Sequence, residues 1–299
     1  MKRIAPLLTG LFLLAAGAAA TLRAAAPLPS SAFDYDAARP LDVQVKTAEK
    51  KDGIEVRDIT FAAAASGART AAYLVVSPLP KPGPGILFVH WYEPESPDSN
   101  RTQYLSQAVE LAKAGTTSLL IATPWSEPTW FPKRNAAEDY RTTIDDVKEF
   151  RRALDVLLVQ PNIDRKRVAF VGHDFGMMCG AVLAGVDRRV TAWALQAGTT
   201  SFSHWYLYMP RLEGAARQAK IDALAPLDPV LYIAKASPSP ILLQFGHHDP
   251  HVTDARAQAF FDAAGEPKQI LWYDAGHHLN DQAVADRQAW LRKTLKLAP

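Results

Sequence analysis

The chain has 299 residues, enough for one large α/β domain or two small ones, and its 48% hydrophobic and 21% charged residues are ordinary for a soluble globular protein. With a formal net charge of +2 and its basic residues scattered, it offers no electrostatic case for nucleic acid or an anionic membrane. Cys179 is the single cysteine, so no internal disulfide forms and a hydrophobic core must carry the stability.

Lys2 and Arg3 precede an apolar stretch over residues 4–14 that runs into Ala-rich sequence through Ala26. A basic start, an apolar middle and small residues at the end describe a secretory signal peptide over residues 1–26. A retained membrane anchor is the competing reading, against which Gly10, Gly17 and the many alanines make a weakly hydrophobic span. The mature N-terminus is expected between residues 21 and 27, which makes the protein periplasmic or secreted, with no membrane contact after cleavage. Residues 27–40, rich in Pro, Ala and Ser, read as a linker into one domain over residues 41–299.

Alternating apolar residues over 54–61 and again over 71–76 predict paired antiparallel strands. After the Pro-Gly turn at 80–84, Gly85-Ile86-Leu87-Phe88-Val89-His90 is a continuous apolar run of the kind buried on both faces of a parallel sheet. Strands at 117–122, 168–172, 191–196, 241–245 and 269–273 then alternate with helical patterns at 103–114, 136–159, 177–184, 253–264 and 281–297. This alternation predicts an α/β fold with a mostly parallel central sheet covered by helices on both faces. Residues 199–236 break the rhythm and suit a small insertion over the sheet's C-terminal edge.

The most specific signal is Val168-Ala169-Phe170-Val171-Gly172-His173-Asp174-Phe175-Gly176-Met177, a buried strand that ends in Gly-x-Asp-x-Gly and passes at once into a helix. The glycines let strand and helix approach closely around a strained turn that presents the middle residue. This is a nucleophile elbow with aspartate where serine is usual. Asp249 follows the strand at 241–245 and His277 follows the strand at 269–273, so nucleophile, acid and histidine occur in that order.

On these motifs residues 50–297 resemble the α/β-hydrolase superfamily, in particular its dienelactone-hydrolase-like branch. The elbow Gly172-His173-Asp174-Phe175-Gly176 is similar to those of haloalkane dehalogenases and epoxide hydrolases, which use an aspartate nucleophile. The resemblance implies Asp174 as nucleophile, His277 as general base and Asp249 as its orienting acid. It also implies the Phe175 backbone N–H as one oxyanion-hole donor, with the second expected from Trp91 in the loop after Val89-His90, where many relatives carry His-Gly. His173 is expected to support the elbow. Dienelactone hydrolases carry a cysteine nucleophile, whereas Cys179 falls inside the helix after Asp174 and reads as a structural thiol. Haloalkane dehalogenases have tryptophan after the nucleophile where this chain has Phe175.

A carboxylate attacks an sp³ carbon directly, with a reference pKa of about 3.9 that leaves it ionised. His277 then activates water against the resulting ester. Attack on an ordinary ester is disfavoured, because the mixed anhydride expels carboxylate more readily than alkoxide. Ester or lactone hydrolysis with Asp174 positioning a water is the alternative, and a secreted binding protein on an inactive hydrolase scaffold is the non-enzymatic one. His90, Trp125, Trp130, Phe131, Trp205, Tyr206 and Tyr208 are candidate substrate contacts; the aromatic ones equally suit packing under loops. His247, His248 and His251 beside Asp249 offer a competing metal site, but no His-x-His or His-Glu-x-x-His helix complements them, so no metal or cofactor is expected. The expected partner is a small-molecule substrate. Oligomeric state has no signature in the chain.

Overall fold

The computed structural model describes residues 25–297. The expected signal peptide therefore lies outside the described residues except for Ala25 and Ala26. Among the described residues no helix is long and apolar enough to cross a membrane.

One sheet runs through the domain. Strands β1 (Gln44–Lys51), β2 (Ile54–Ala62) and β3 (Arg69–Val76) form an antiparallel meander. Strand β4 (Gly83–Val89) pairs in parallel with β5 (Thr117–Ile121) on one side and with β6 (Ile163–His173) on the other. Parallel pairing continues through β7 (Ala192–Gln196), β8 (Ile241–Gly246) and β9 (Lys268–Tyr273), giving the order β1-β2-β3-β5-β4-β6-β7-β8-β9. The apolar run of β4 is buried along its whole length, as its composition requires. The sequence reading missed β1, whose Gln-Val-Lys-Thr-Ala-Glu-Lys-Lys residues are all exposed, so no apolar face marks it.

Helices α1 (Leu105–Lys113), α2 (Trp130–Lys133), α3 (Asp139–Leu158), α4 (Phe175–Val186), α5 (Ser203–Tyr206), α6 (Gly214–Leu224), α7 (Asp254–Ala263) and α8 (Asp281–Thr294) fill the connections. Alternate residues of β4 enter opposite cores, as the two-residue period of a strand demands. Ile86 and Phe88 pack with Ala108, Val109 and Leu291 of α1 and α8. Leu87 and Val89 pack with Val147, Phe150, Leu154, Met178 and Phe260 of α3, α4 and α7. Cys179 is buried on α4, and burial pushes its thiol well above the usual range, which suits a packing role.

Two expectations are corrected here. Residues 27–40 are no linker: Phe33 is buried in the core, and the Arg152 guanidinium donates to the carbonyls of Arg39 (2.8 Å), Pro40 (2.7 Å) and Ala62 (3.0 Å). The Pro- and Ala-rich composition concealed that anchoring. The insertion at 199–236 is also only partly a cover. Trp205 and Tyr208 stand at the sheet's C-terminal edge, whereas Tyr232 and Ile233 return into the core beside α4.

The crevice sits at the C-terminal ends of β4 and β6, where the chain's connections depart to opposite sides of β4. Open α/β sheets bind ligands at such a switch point.

Candidate active site

The elbow begins with two glycines that have no room for a side chain. A Cβ on Gly176 would lie 2.5 Å from the Val89 carbonyl oxygen and 2.9 Å from that of His90. On Gly172 it would lie 2.6 Å from the Gly176 carbonyl oxygen. Backbone of β4 cannot retreat without disturbing the sheet. Gly176→Ala is thus expected to destabilise the fold by about 2–3 kcal/mol in denaturant titration. This close approach forces Asp174, at the N-cap of α4, to φ 54° and ψ −116°, a strained conformation for a residue with a side chain. The strain thrusts its carboxyl group upward from the strand end.

The three residues that the elbow pattern nominated meet at one point. Asp249, just past β8, accepts backbone N–H bonds from His251 (2.8 Å) and Val252 (3.0 Å) through one oxygen. Its other oxygen lies 2.7 Å from His277 Nδ1. A carboxylate there needs a proton on Nδ1, which leaves the Nε2 lone pair of neutral His277 free. Nε2 lies 3.9 Å from Asp174 Oδ1. His277 belongs to the loop after β9 and is anchored from below by His173, whose Nε2 lies 2.9 Å from the His277 carbonyl oxygen. The other His173 nitrogen accepts from Gln103 Nε2 at 2.8 Å. His173 is therefore a neutral clamp on the loop that carries His277, and burial holds its pKa well below the usual range.

The electrostatics follow from burial. Desolvation pushes the Asp174 carboxyl up to about 7, against the opposing pull of His277 and of the Tyr92 and Phe175 backbone N–H groups. His277 shifts upward: burial disfavours its charge, but the Asp249 hydrogen bond and the charges of Asp174, Asp249 and Glu93 prevail. Asp249 shifts downward, because its bond to His277 and its two backbone donors outweigh desolvation.

The N–H that meets Asp174 from the loop after β4 is that of Tyr92, not of the expected Trp91. The Tyr92 N–H reaches Asp174 Oδ2 at 3.1 Å, whereas the Trp91 N–H is taken by Gln103 Oε1 at 3.0 Å. The Trp91 ring instead stacks on His173, with centroids 4.8 Å apart. The position of the donor depends on how many residues leave β4 before the chain turns, and no glycine marks that count here.

A cavity of about 240 Å³ opens above Asp174, lined by Phe175, His277, Tyr92, Glu93, Pro94, Phe131, Trp205, Tyr208 and His251. Trp205 lines this cavity, its ring edge-on to His277 with centroids 5.8 Å apart. Three other expected substrate contacts are corrected. His90 is buried below the cavity, its Nδ1 2.7 Å from the Trp91 carbonyl and its Nε2 2.9 Å from the hydroxyls of Ser126 and Thr123. Trp125 donates to the His90 carbonyl at 3.0 Å and packs against Phe175. Tyr206 turns into the core, where its hydroxyl lies 3.0 Å from Thr143 Oγ1. All three are buried strand-end or helix residues, and composition alone does not distinguish the two sides of a loop. Glu93, absent from the sequence reading, follows the same strand end as Tyr92.

The histidine cluster does not converge. His247 faces Asp254 (3.1 Å), His248 faces Asp274 (2.6 Å), and His251 packs edge-on to His277. Among the described residues no group of three or more His, Cys, Asp or Glu side chains is arranged to hold a metal ion.

No protein-family model matches the chain, and no curated protein matches it in sequence. Solved structures do. Acetyl xylan esterase 1 of a Thermoanaerobacterium species is 15% identical, the match covering 91% of this chain and 95% of that one with a TM-score of 0.68. An acetyl xylan esterase of a Paenibacillus species is 15% identical over 88% and 92% of the two chains, with a TM-score of 0.66. An esterase domain from a Rhodothermus marinus protein is 22% identical over 80% and 98%, with a TM-score of 0.58. At these identities the likeness establishes the fold, which is that of the α/β hydrolases.

Proposed function

We propose that the protein is a hydrolase of small molecules in which Asp174 attacks an sp³ carbon, with His277 and Asp249 completing the machinery. The observation that carries this is the seating of the Asp174 carboxylate. Oδ2 lies on the Tyr92 N–H at 3.1 Å, where an acyl-transfer enzyme would receive the substrate's oxyanion. With the enzyme's own carboxylate on that donor, an ester carbonyl has no vacant hole to enter.

The same seating suits alkyl transfer. Oδ1 bonds to carbon as the carbon–halogen or epoxide carbon–oxygen bond breaks; the electron pair departs with the halide, or with an alkoxide that takes a proton from solvent. Water then gives a proton to His277 Nε2 and adds to Cγ of Asp174, placing negative charge on Oδ2, which already faces the Tyr92 N–H. Collapse expels the product alkoxide, which recovers the proton from His277 and leaves one water oxygen in Asp174. The elbow's similarity to those of haloalkane dehalogenases and epoxide hydrolases supports this chemistry, and the dienelactone-hydrolase-like body supports a small substrate. Export belongs to the same proposal, on the charged-then-apolar pattern of residues 1–26.

Ester or lactone hydrolysis, with Asp174 orienting a water, draws on the esterase names of the similar structures. A panel of epoxides, haloalkanes, activated esters and lactones distinguishes the two. Epoxide or haloalkane turnover that disappears in Asp174→Ala is expected, as is a higher rate at pH 8 than at pH 6. That sign follows because protonation of Asp174 near 7 removes the nucleophile, and protonation of His277, itself shifted upward, removes the base. Turnover of esters and lactones alone would contradict it.

A further inference from the structure

The cavity carries a carboxylate, Glu93, that makes and breaks no bond in the chemistry above, although its charge helps to raise His277. The Glu93 backbone is fixed, its N–H donating to Ser99 Oγ at 2.8 Å and its carbonyl accepting from the Ser96 N–H at 2.9 Å. Its side chain accepts no hydrogen bond among the described residues, and the nearest ring nitrogen, His278 Nε2, is 3.9 Å away. Two aromatic pairs share the lining: Trp205 and Tyr208 stack with centroids 5.8 Å apart, and Tyr92 and Phe131 lie tilted at 5.9 Å. Among the described residues no lysine or arginine lines the cavity. Of the nearby guanidinium groups, Arg134 pairs with Asp139 at 3.0 Å and covers one face of the Phe131 ring at 3.9 Å, and Arg256 donates to the His251 carbonyl at 3.1 Å.

We propose that this cavity selects substrates bearing a compact organic cation, with Glu93 as counter-charge and Trp205, Tyr208 and Tyr92 as an aromatic wall. The proposal rests on the cavity being the substrate site of the hydrolase described above. A neutral ligand closing over Glu93 would strip water from an unpaired carboxylate and return nothing for it. An anionic ligand such as a haloacid would add a negative charge beside Glu93 and Asp174, and the counter-charge within reach is a protonated His277, which must be neutral to act as base. A quaternary ammonium offsets the desolvation of Glu93 and meets the negative faces of the aromatic rings. The volume of about 240 Å³ lies below the roughly 300–1,000 Å³ of ordinary ligand pockets, which limits the cation to a small head group.

Calorimetric titration of the full protein with choline, with its uncharged carbon isostere 3,3-dimethylbutan-1-ol and with chloroacetate tests this without turnover. Choline is expected to bind about tenfold or more tightly than the isostere, and chloroacetate not to bind measurably. Glu93→Gln is expected to remove about tenfold of the choline affinity and to leave the isostere within about twofold, which also shows that the variant's cavity is intact. Equal affinities for choline and the isostere, chloroacetate binding as tight as choline, no choline binding at all, or an unchanged choline affinity in Glu93→Gln would each overturn the proposal. Cation selectivity without an Asp174 adduct would count against the nucleophile alone; an adduct without cation selectivity would count against Glu93 alone.

Discussion

His277→Gln is expected to trap the enzyme as an ester. Attack by Asp174 needs no proton removed from a nucleophile, so the first step survives the loss of imidazole. The second step does not, because water must then attack Cγ without a base. Removal of a positioned general base costs about 10²–10⁴-fold. Steady-state turnover should fall by that factor, and mass spectrometry should find Asp174 carrying the added mass of the substrate's alkyl group. Glutamine retains a donor toward Asp249, whose oxygen lies 2.7 Å from His277 Nδ1, so the change leaves Asp249 without a bare loss of partner. A variant that is equally slow but unmodified would mean that His277 acts before any covalent step.

Asp174→Asn is expected to abolish turnover and at the same time to stabilise the fold. A neutral amide is too weak a nucleophile, so no adduct forms. The stability effect comes from burial, which pushes the Asp174 carboxyl up to about 7 in the folded protein. Its unfolded value is the reference of about 3.9. Between these values the folded state binds the proton more tightly than the unfolded state, so Asp174's contribution to stability declines as pH rises from about 4 and is lowest above about 7. Asparagine escapes that penalty. Its thermal midpoint should exceed the wild type's at pH 8, by about 1–3 kcal/mol of stability, and the gap should narrow at pH 5. A gap that widens toward pH 5 would reverse the inferred sign.

Much of the architecture was legible because each signal had a local cause. The apolar run of β4 demanded burial on both faces, and the face of α3 bearing Val147, Phe150, Leu154 and Leu157 demanded a sheet to cover it. The elbow was legible because Gly172 and Gly176 permit contacts that no other residue allows. What escaped was set by long-range packing. Strand β1 has no buried face to announce it, and the Phe33 carbonyl is held by Arg151, more than a hundred residues away along the chain. In the site, the order of Asp174, Asp249 and His277 was legible, but the choice of Tyr92 over Trp91 depends on the path of the chain after Val89. The aromatic residues split for the same reason: Trp205 faces the cavity and Tyr206 the core, one residue apart on a helical turn. Burial also changed the chemistry expected of Asp174, since sequence supplies only the reference pKa and the fold raises it toward neutrality.

The most direct test of Asp174 as nucleophile is a single turnover in ¹⁸O-labelled water, with enzyme in excess over a substrate that the panel identifies. Covalent attack sends the original carboxylate oxygen out with the alcohol and leaves a water oxygen behind. Label should therefore appear in the peptide containing Asp174, and the first product should be unlabelled. Label in the product, with the Asp174 peptide unchanged, would contradict covalent attack and assign the pair Asp174 and His277 to activating water directly.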